Sequence, residues 1–271
     1  MKPKPWTIIL PSERACLNAI MKKDLASLSI HFLRCSSVVR RLPRWIPTGC
    51  GSLDRALDGG LPPSAVSLVY GEAETGKTTL AIQCGVNCAR LGLKALYVDS
   101  DGSFLPERLS QIAGRDFEEA SDAIILAEPS SFDEQAETVD NLERYVLKGF
   151  GLIVFDTITS LYRSELADKQ ETFSLNRELN RQVATLAQIA KSLEVSVLLV
   201  SQVRGVIKHD EVDTTPVATR VLRYWSDAVV GLSRASRRSI IKASVEKSGG
   251  RETQLSFYLV IDGDGVHDYK P

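Results

Sequence analysis

Residues 71–78 read Gly71-Glu72-Ala73-Glu74-Thr75-Gly76-Lys77-Thr78 and match the pattern GxxxxGK(S/T). An apolar run from Val66 to Tyr70 precedes this motif, and a helix-like run from Thr79 to Leu91 follows it. The motif therefore joins a predicted strand to a predicted helix, which is the context that a P-loop requires. The alternative interpretation is a glycine-containing turn before an ordinary helix.

A P-loop binds polyphosphate because several backbone N–H groups and the positive end of a helix dipole converge on the phosphate oxygens. Lys77 would neutralise the β and γ phosphates, and the Thr78 hydroxyl would ligate Mg²⁺. We predict cofactor contacts along the whole loop and the start of the helix, at Gly71, Glu72, Ala73, Glu74, Thr75, Gly76, Lys77, Thr78 and Thr79.

The composition is typical of a globular protein. The chain has 271 residues, of which 44% are hydrophobic and 25% charged, and this suffices for a substantial core. No apolar run reaches the roughly 18 residues of a membrane span, and the N-terminus lacks the pattern of a secretory signal. We therefore expect a cytoplasmic protein without membrane contact, whose five cysteines are reduced core thiols.

Charge is distributed unevenly along the chain. Residues 1–45 hold nine Lys and Arg against two acids, so the net charge of -1 combines an arm of +7 with a body of -8. We interpret residues 1–43 as a basic N-terminal extension that either binds nucleic acid or has no consequence for function. Residues 44–271 form the predicted core domain.

Beyond Pro43, apolar segments of strand length alternate with segments able to form helices, which is typical of parallel βαβ units. Such strands are predicted at 66–70, 94–98, 123–127, 152–155 and 195–200, and the longest helix at about 172–193. Past Trp225 the sequence favours antiparallel strands at 228–232, 239–246 and 255–261. The predicted fold class is α/β, with a mainly parallel sheet flanked by helices and an antiparallel C-terminal extension.

Three polar residues end predicted buried strands, at the edge of the sheet where ligands of open α/β folds bind. Asp156 would hold Mg²⁺ through water, Asp101 would orient an attacking water, and Gln202 would sense the γ phosphate. Each also has an ordinary explanation. Asp156 would cap the next element, Asp101 would form a turn, and Gln202 would simply end its strand.

Several short motifs follow one another along residues 44–271. They are Thr48-Gly49-Cys50, Leu53-Asp54, Gly59-Gly60-Leu61, the P-loop, Val98 to Phe104, Pro106-Glu107-Arg108, Asp156 to Ser160, Ser201-Gln202-Val203 and Gly265 to Asp268. In this combination the chain resembles the RecA/RadA recombinase family. The resemblance implies a RecA-type P-loop core that binds ATP and DNA in homologous recombination and DNA repair.

The resemblance also implies roles by position. Lys77 contacts phosphate, Asp156 is the Walker B acid that serves Mg²⁺, and Asp101 replaces the water-polarising acid. Arg108 packs on adenine, and Gln202 couples the nucleotide state to the DNA-binding loop that follows it. The predicted catalytic residues are therefore Lys77, Asp101 and Gln202.

The chain departs from the family pattern at several positions. RadA-type chains carry a helix-hairpin-helix domain and a Phe-x-x-Ala hook for polymerisation, whereas residues 32–35 are Phe-Leu-Arg-Cys here, so self-assembly is doubtful. Related recombinases usually hold Glu where Asp101 stands. Because its carboxyl retracts by about 1.5 Å, we expect only weak ATP hydrolysis. Glu74 places a β-carbon and a charge where the family prefers a small residue, unless it points to solvent without effect.

Two groups of basic residues are candidate DNA contacts. Arg204 and Lys208 lie in the loop after Val203. A denser group lies in the predicted C-terminal hairpins, with Arg237 and Arg238 beside Arg234, Lys242, Lys247 and Arg251. A solvated strand face is the alternative for this second group. We expect sequence-independent binding of single-stranded or branched DNA, with the main RadA-type recombinase as protein partner.

Three functions are compatible with these features. The first is an ATP-controlled accessory protein of recombination with weak ATPase activity. The second is a KaiC-like or helicase-like ring ATPase, which needs vigorous hydrolysis and a basic finger from a neighbouring subunit. The third is a non-catalytic switch that binds nucleotide only to present a surface to a protein partner.

Overall fold

The computed structural model describes residues 44–166, 172–202, 217–235, 237 and 239–270, so the basic extension lies outside the described residues. The strands are β1 (Val66–Gly71), β2 (Lys94–Asp99), β3 (Ile124–Ala127), β4 (Phe150–Asp156), β5 (Ser196–Gln202), β6 (Ala228–Arg234), β7 (Ile240–Ser248), β8 (Arg251–Asp262) and β9 (Gly265–Asp268). The α-helices are α1 (Gly51–Ala56), α2 (Lys77–Arg90), α3 (Pro106–Ala113), α4 (Phe117–Ala123), α5 (Phe132–Asp140), α6 (Leu142–Tyr145), α7 (Ser160–Glu165), α8 (Thr172–Ser192) and α9 (Val217–Trp225).

The nine described strands form one sheet in the order β3-β2-β4-β5-β1-β6-β7-β8-β9. Every neighbouring pair from β3 to β6 is parallel, and every pair from β6 to β9 is antiparallel. Helices connect the parallel strands, as parallel pairing requires. The predicted fold class is therefore confirmed.

Two details of the C-terminal extension differ from the prediction. The segment 228–232 was expected among antiparallel strands only, whereas β6 pairs in parallel with β1 and antiparallel with β7. Helix α9 precedes β6 and acts as one more crossover, which allows β6 to lie alongside β1. Strand β9 was not predicted, because four residues are too few to show a period of two.

The sheet is buried on both faces. Along β5, Leu198 and Val200 pack in the cluster that contains α2, whereas Val197 and Leu199 pack in the cluster that contains α8. All four side chains are fully buried. Because successive side chains of a strand point to opposite faces, two-sided burial explains why the strand is apolar throughout.

The longest described helix, α8, covers one face through a stripe of apolar side chains. Leu175, Leu179, Val183 and Leu186 recur at spacings of three and four residues and are buried. The predicted helix at about 172–193 is thus confirmed. None of the helices in the described ranges combines the length and apolarity needed to cross a membrane.

The three cysteines in the described part of the chain are buried free thiols, Cys50, Cys84 and Cys88. Burial raises the pKa of Cys50 and of Cys88 to about 12, so both thiols stay protonated at neutral pH. The prediction of reduced core thiols is confirmed for these residues. Cys16 and Cys35 lie outside the described residues.

A short segment before α1 is attached to the core by a close backbone approach. Ile46 is fully buried and pairs with Leu61 in an isolated antiparallel bridge, with N···O distances of 3.1 and 2.8 Å. Gly60 precedes Leu61 with a φ of +119°. A Cβ atom at Gly60 would overlap the Ile46 carbonyl, so this attachment requires glycine on two independent grounds.

Gly60→Ala is expected to lower the free energy of unfolding by roughly 3 kcal/mol or more, because backbone strain and steric overlap add. Gly92→Ala is the matched control. Gly92 also has a positive φ of +70°, but a Cβ atom there meets no neighbour within 4 Å. The control should cost only about 1 kcal/mol. Urea unfolding measures both values, and equal losses would contradict the role of the close approach.

Candidate nucleotide-binding site

The P-loop connects β1 to α2 and needs glycine at both of its ends. A Cβ atom at Gly71 would overlap the Leu232 carbonyl, because β6 runs alongside β1 at that position. Gly76 has a φ of +78°, and a Cβ atom there would lie 2.6 Å from Ile261 Cδ1. The two glycines of the pattern are therefore required by packing and backbone geometry as well as by ligand approach.

The loop closes on one of its own carbonyl groups. Thr75 Oγ1 donates to the Glu72 carbonyl over 2.9 Å, and Lys77 Nζ donates to the same oxygen over 2.5 Å. Burial lowers the pKa of Lys77, and the charges of Asp156 and Asp101 oppose this effect. Lys77 is thus a partly desolvated cation within electrostatic range of both predicted acids, and this position fits a phosphate-binding lysine.

Asp156 ends β4 at the edge of the sheet where the P-loop lies. Its carboxylate is fully buried, and its Oδ2 atom accepts a hydrogen bond of 2.6 Å from the Tyr97 hydroxyl. Burial raises the pKa of Asp156 to about 6, although the Tyr97 and Thr78 hydroxyls oppose this rise. The carboxyl group is therefore held in an environment where its charge needs a further partner.

The residues around Asp156 fit a magnesium ion. The Asp156 Oδ1 atom is buried and makes no hydrogen bond among the described residues, so it has unused acceptor capacity. The Thr78 hydroxyl helps to lower the pKa of Asp156 and lies 3.5 Å from Ser103 Oγ. Hydroxyl and carboxylate oxygens are the ligands that Mg²⁺ prefers, together with water and phosphate.

Asp101 lies in the loop after β2, and a neighbouring acid fixes the shape of that loop. The buried Asp99 carboxylate accepts backbone N–H bonds from Asp101, Ser103 and Phe104 over 3.3, 3.1 and 2.9 Å. Asp101 itself is exposed, and partial desolvation still raises its pKa. The charge of Asp101 raises the pKa of Lys77, so Asp101 lies within electrostatic range of the P-loop lysine. Its role in orienting water stays a prediction.

Gln202 ends β5 directly beside Gly71, its partner in the parallel register. The backbone carbonyl of Gln202 accepts a hydrogen bond of 2.8 Å from Arg163 Nη1. These two residues line a cavity of about 440 Å³ with Ser160, Ser164 and Leu166. The charge of Arg163 also lowers the pKa of Lys77, so Arg163 lies within electrostatic range of the P-loop lysine.

Arg108 is held at the opposite end of the loop region by the C-terminal strands. Its guanidinium donates to the Asp262 and Gly263 carbonyls over 2.7 and 2.8 Å, and to Gln111 Oε1 over 2.9 Å. The side chain is therefore fixed at the turn between β8 and β9. Its packing on adenine stays a prediction.

The basic residues of the C-terminal hairpins do not form one group, which corrects the sequence interpretation. Arg234 and Arg237 lie at the turn between β6 and β7, whereas Lys247 and Arg251 lie at the turn between β7 and β8. These turns are at opposite ends of β7, whose nine residues span roughly 25 Å. Arg237 is exposed. Three further predicted DNA contacts lie outside the described residues: Arg204, Lys208 and Arg238.

Glu74 does not simply point to solvent. It adopts a left-handed backbone conformation with a φ of +61°, and its carboxylate forms an ion pair of 3.1 Å with Arg234. The sequence interpretation grouped Arg234 with candidate DNA contacts. The structure places it on the P-loop instead.

The fold and the site together define the class: a RecA-type P-loop core, in which acids from neighbouring parallel strands face the loop. Comparison with known proteins gives the family. The Rad51 family model matches residues 40–268, and the chain belongs to this family. The resemblance to RecA/RadA recombinases is thereby confirmed.

Individual relatives agree with this assignment. The chain is 36% identical over 226 residues to the DNA repair and recombination protein RadB of Thermococcus onnurineus (strain NA1), covering 82% of this chain and 97% of that protein. It is 34% identical over 224 residues to RadB of Methanobrevibacter smithii, covering 80% and 94% of the two chains. A solved structure, the crystal structure of the RadB recombinase, matches with a TM-score of 0.71 at 35% identity and covers 83% of this chain and 100% of its own.

Sequence reasoning missed three contributors to the site. Asp99 was quoted in a motif without a role, yet it organises the loop that carries Asp101. Tyr97 reaches Asp156 from the adjacent strand β2, and Arg163 reaches the end of β5. Of the three, Asp99 alone has a signal in the sequence around it. The side chain of an Asp in a turn commonly accepts a hydrogen bond from the backbone N–H two residues later, which here belongs to Asp101.

Lys77→Ala is expected to abolish measurable ATP binding while the protein stays folded, because Lys77 delivers a charge to phosphate from a preformed loop. Titration with ATP and Mg²⁺ measures the affinity, and circular dichroism verifies the fold. Lys191→Ala in the last turn of α8 is the matched control and should bind ATP like the parent protein. ATP binding by the Lys77 variant at the parent affinity would show that this loop is not the site.

Proposed function

We propose that this chain is an ATP-binding, DNA-associated protein of DNA repair and homologous recombination. It acts as an accessory protein of the main RadA-type recombinase, hydrolyses ATP weakly and works in the cytoplasm. Membership of the Rad51 family supports this proposal, and so does the similarity to proteins named DNA repair and recombination protein RadB.

One observation carries the nucleotide part of the proposal. The buried Asp156 carboxylate, with its unpartnered Oδ1 atom, lies within electrostatic range of the P-loop lysine. An unused acceptor of this kind in the interior costs free energy unless a cation or a water molecule meets it. Thr78 and Asp156 would hold Mg²⁺, which supplies charge neutralisation at the β and γ phosphates of ATP.

The other residues around the loop have distinct roles in this proposal. Lys77 neutralises phosphate charge, and Arg108 at the β8–β9 turn packs on adenine. Asp101 orients the attacking water, although its side chain is one methylene shorter than the glutamate usual in related recombinases. Because misplacement by about 1 Å can reduce a rate by on the order of a hundredfold, hydrolysis is slow.

The cavity beside Gln202 supports a link between nucleotide and DNA. Gln202 ends the strand next to the P-loop, and Arg163 places a cation at the same point. A γ phosphate at the loop would therefore act electrostatically on Gln202. The chain continues from Gln202 into residues 203–216. DNA contacts there and at Arg237 use charge without base-reading chemistry, so binding is independent of sequence.

Asp101→Glu is expected to raise kcat by about tenfold with little change in ATP affinity, because the longer side chain restores reach and acts in the transition state. Steady-state ATPase assays with and without single-stranded DNA measure this change. Asp101→Asn, which keeps the shape and removes the charge, should lower kcat instead.

An unchanged or lower rate in the Asp101→Glu variant would remove Asp101 from the catalytic role. It would then favour the non-catalytic nucleotide switch. Fast turnover of the parent protein, stimulated by DNA, would favour a ring ATPase over an accessory protein. Size-exclusion chromatography with the main recombinase tests the proposed partnership directly.

Replacing Arg237 and Arg238 with alanine is expected to weaken DNA binding and to reduce the slope of log K against log salt. Each lost phosphate contact should reduce that slope by about 0.7 to 0.9, because fewer counterions are released. Fluorescence anisotropy with labelled single-stranded DNA at several salt concentrations measures the slope. Deletion of residues 1–43 tests the basic extension in the same assay and should leave part of the affinity.

The control for this experiment is Arg115→Ala, which removes another exposed arginine from the 3₁₀ turn at Gly114–Asp116, between α3 and α4. Its side chain is 96% exposed. The slope for this variant should match that of the parent protein. DNA binding by the parent protein that does not depend on salt would contradict the proposed phosphate contacts. The same holds if neither the Arg237 and Arg238 replacement nor the deletion of residues 1–43 alters binding.

A further inference from the structure

An arginine from a distant part of the chain is attached to the P-loop. Arg234 Nη2 donates to the Ala73 carbonyl over 3.0 Å and lies 3.1 Å from Glu74 Oε2. Both partners are residues of the loop itself. One guanidinium group therefore contacts the loop at a backbone oxygen and at Glu74, one of its two acidic side chains.

Parallel pairing of β6 with β1 explains how Arg234 reaches the loop. Gly71, the last residue of β1, lies beside Leu232 in this register. The chain leaves the sheet at Gly71 to form the loop, whereas β6 continues for two more residues. Because side chains alternate between faces, Arg234 lies on the same face as Leu232, one pleat further along, where the loop passes.

The pair contributes little to folding, because both side chains are well exposed. Arg234 is 56% and Glu74 is 71% exposed, and ion pairs of this kind are worth little in water. Its importance lies in the position of the charge. A carboxylate in this loop repels a polyphosphate, and a unit charge within about 8 Å changes the affinity for such a ligand by roughly three- to tenfold at low salt.

We propose that Arg234 is a positioning residue of the nucleotide site, which neutralises Glu74 and holds it away from the phosphates of ATP. The inference rests on the proposed ATP site at the P-loop and deepens it. Arg234 contacts the loop and not the nucleotide. Glu74 occupies a left-handed backbone position in the loop, and Arg234 compensates for its charge there.

The ATP affinities of two single variants and of their double variant test this role in the full-length protein. Arg234→Ala leaves Glu74 unpaired and should weaken ATP binding by about three- to tenfold at low salt. Glu74→Gln removes the repulsive charge and should tighten binding. The double variant removes both charges, so its affinity should return to within about twofold of the parent protein.

Isothermal titration with ATP and Mg²⁺ at about 50 mM and 500 mM salt measures all four proteins. The loss in Arg234→Ala should shrink at the higher salt concentration, because a through-solvent charge effect is screened. Arg234→Lys keeps the charge and should retain most of the affinity. Arg234→Gln is a second charge-removing variant in case Arg234→Ala does not fold.

The matched control is Arg90→Ala. Arg90 pairs with Asp116 over 2.8 Å and ends α2, whose 14 residues place it roughly 20 Å from the P-loop. This variant changes the net charge by the same amount and removes the shorter ion pair of Asp116, which keeps only a contact of 3.7 Å with Arg115. Its ATP affinity should equal that of the parent protein.

Two outcomes would overturn the inference. Parent-like affinity in Arg234→Ala would show that the contact does not influence the site. A double variant as weak as Arg234→Ala would show that Arg234 acts on the nucleotide directly. Both outcomes leave the proposed function intact if Lys77→Ala has lost ATP binding, whereas a parent protein that binds no ATP would overturn both proposals.

Discussion

The parallel register of β2, β4, β5 and β1 determines where the candidate site forms. Asp99 lies beside Asp156, and Gly71 lies beside Gln202, as direct partners in this register. Residues that are 57 and 131 positions apart along the chain therefore meet at one edge of the sheet. Because parallel strands end on the same side, a loop that leaves β1 there is surrounded by the last residues of its neighbours.

Burial disfavours the charged forms of the ionisable groups at this edge of the sheet. The pKa of Asp156 is raised to about 6 and that of Lys77 is lowered, in both cases chiefly because the groups are withdrawn from water. The charge of Asp156 favours the charged form of Lys77, yet Asp156 Oδ1 still has no hydrogen-bond partner among the described residues. Under the proposed function, a magnesium ion and phosphate would complete the balance of charge at this edge.

The sequence predicts local patterns well and cross-strand contacts poorly. The P-loop, the buried strands and the acid at the end of β4 all follow from neighbouring residues, because each pattern lies within one segment. By contrast, Arg234 reaches Glu74 and Tyr97 reaches Asp156 only through strand register, which one sequence does not reveal. For the same reason, basic residues close together along the chain were grouped although β7 separates them.

Under the proposed function, slow hydrolysis follows from the rigidity of the site. Asp99 fixes the loop that carries Asp101 through three backbone N–H bonds, and Ser100 in the same loop is attached to Gln135 over 2.9 Å. Gln135 in turn donates to Gln182 of α8 over 2.8 Å. These contacts restrain the loop against the shift of about 1 Å that would compensate for the short side chain of Asp101. The same contacts connect this loop to α8, so under the proposed function they also link the nucleotide site to that helix.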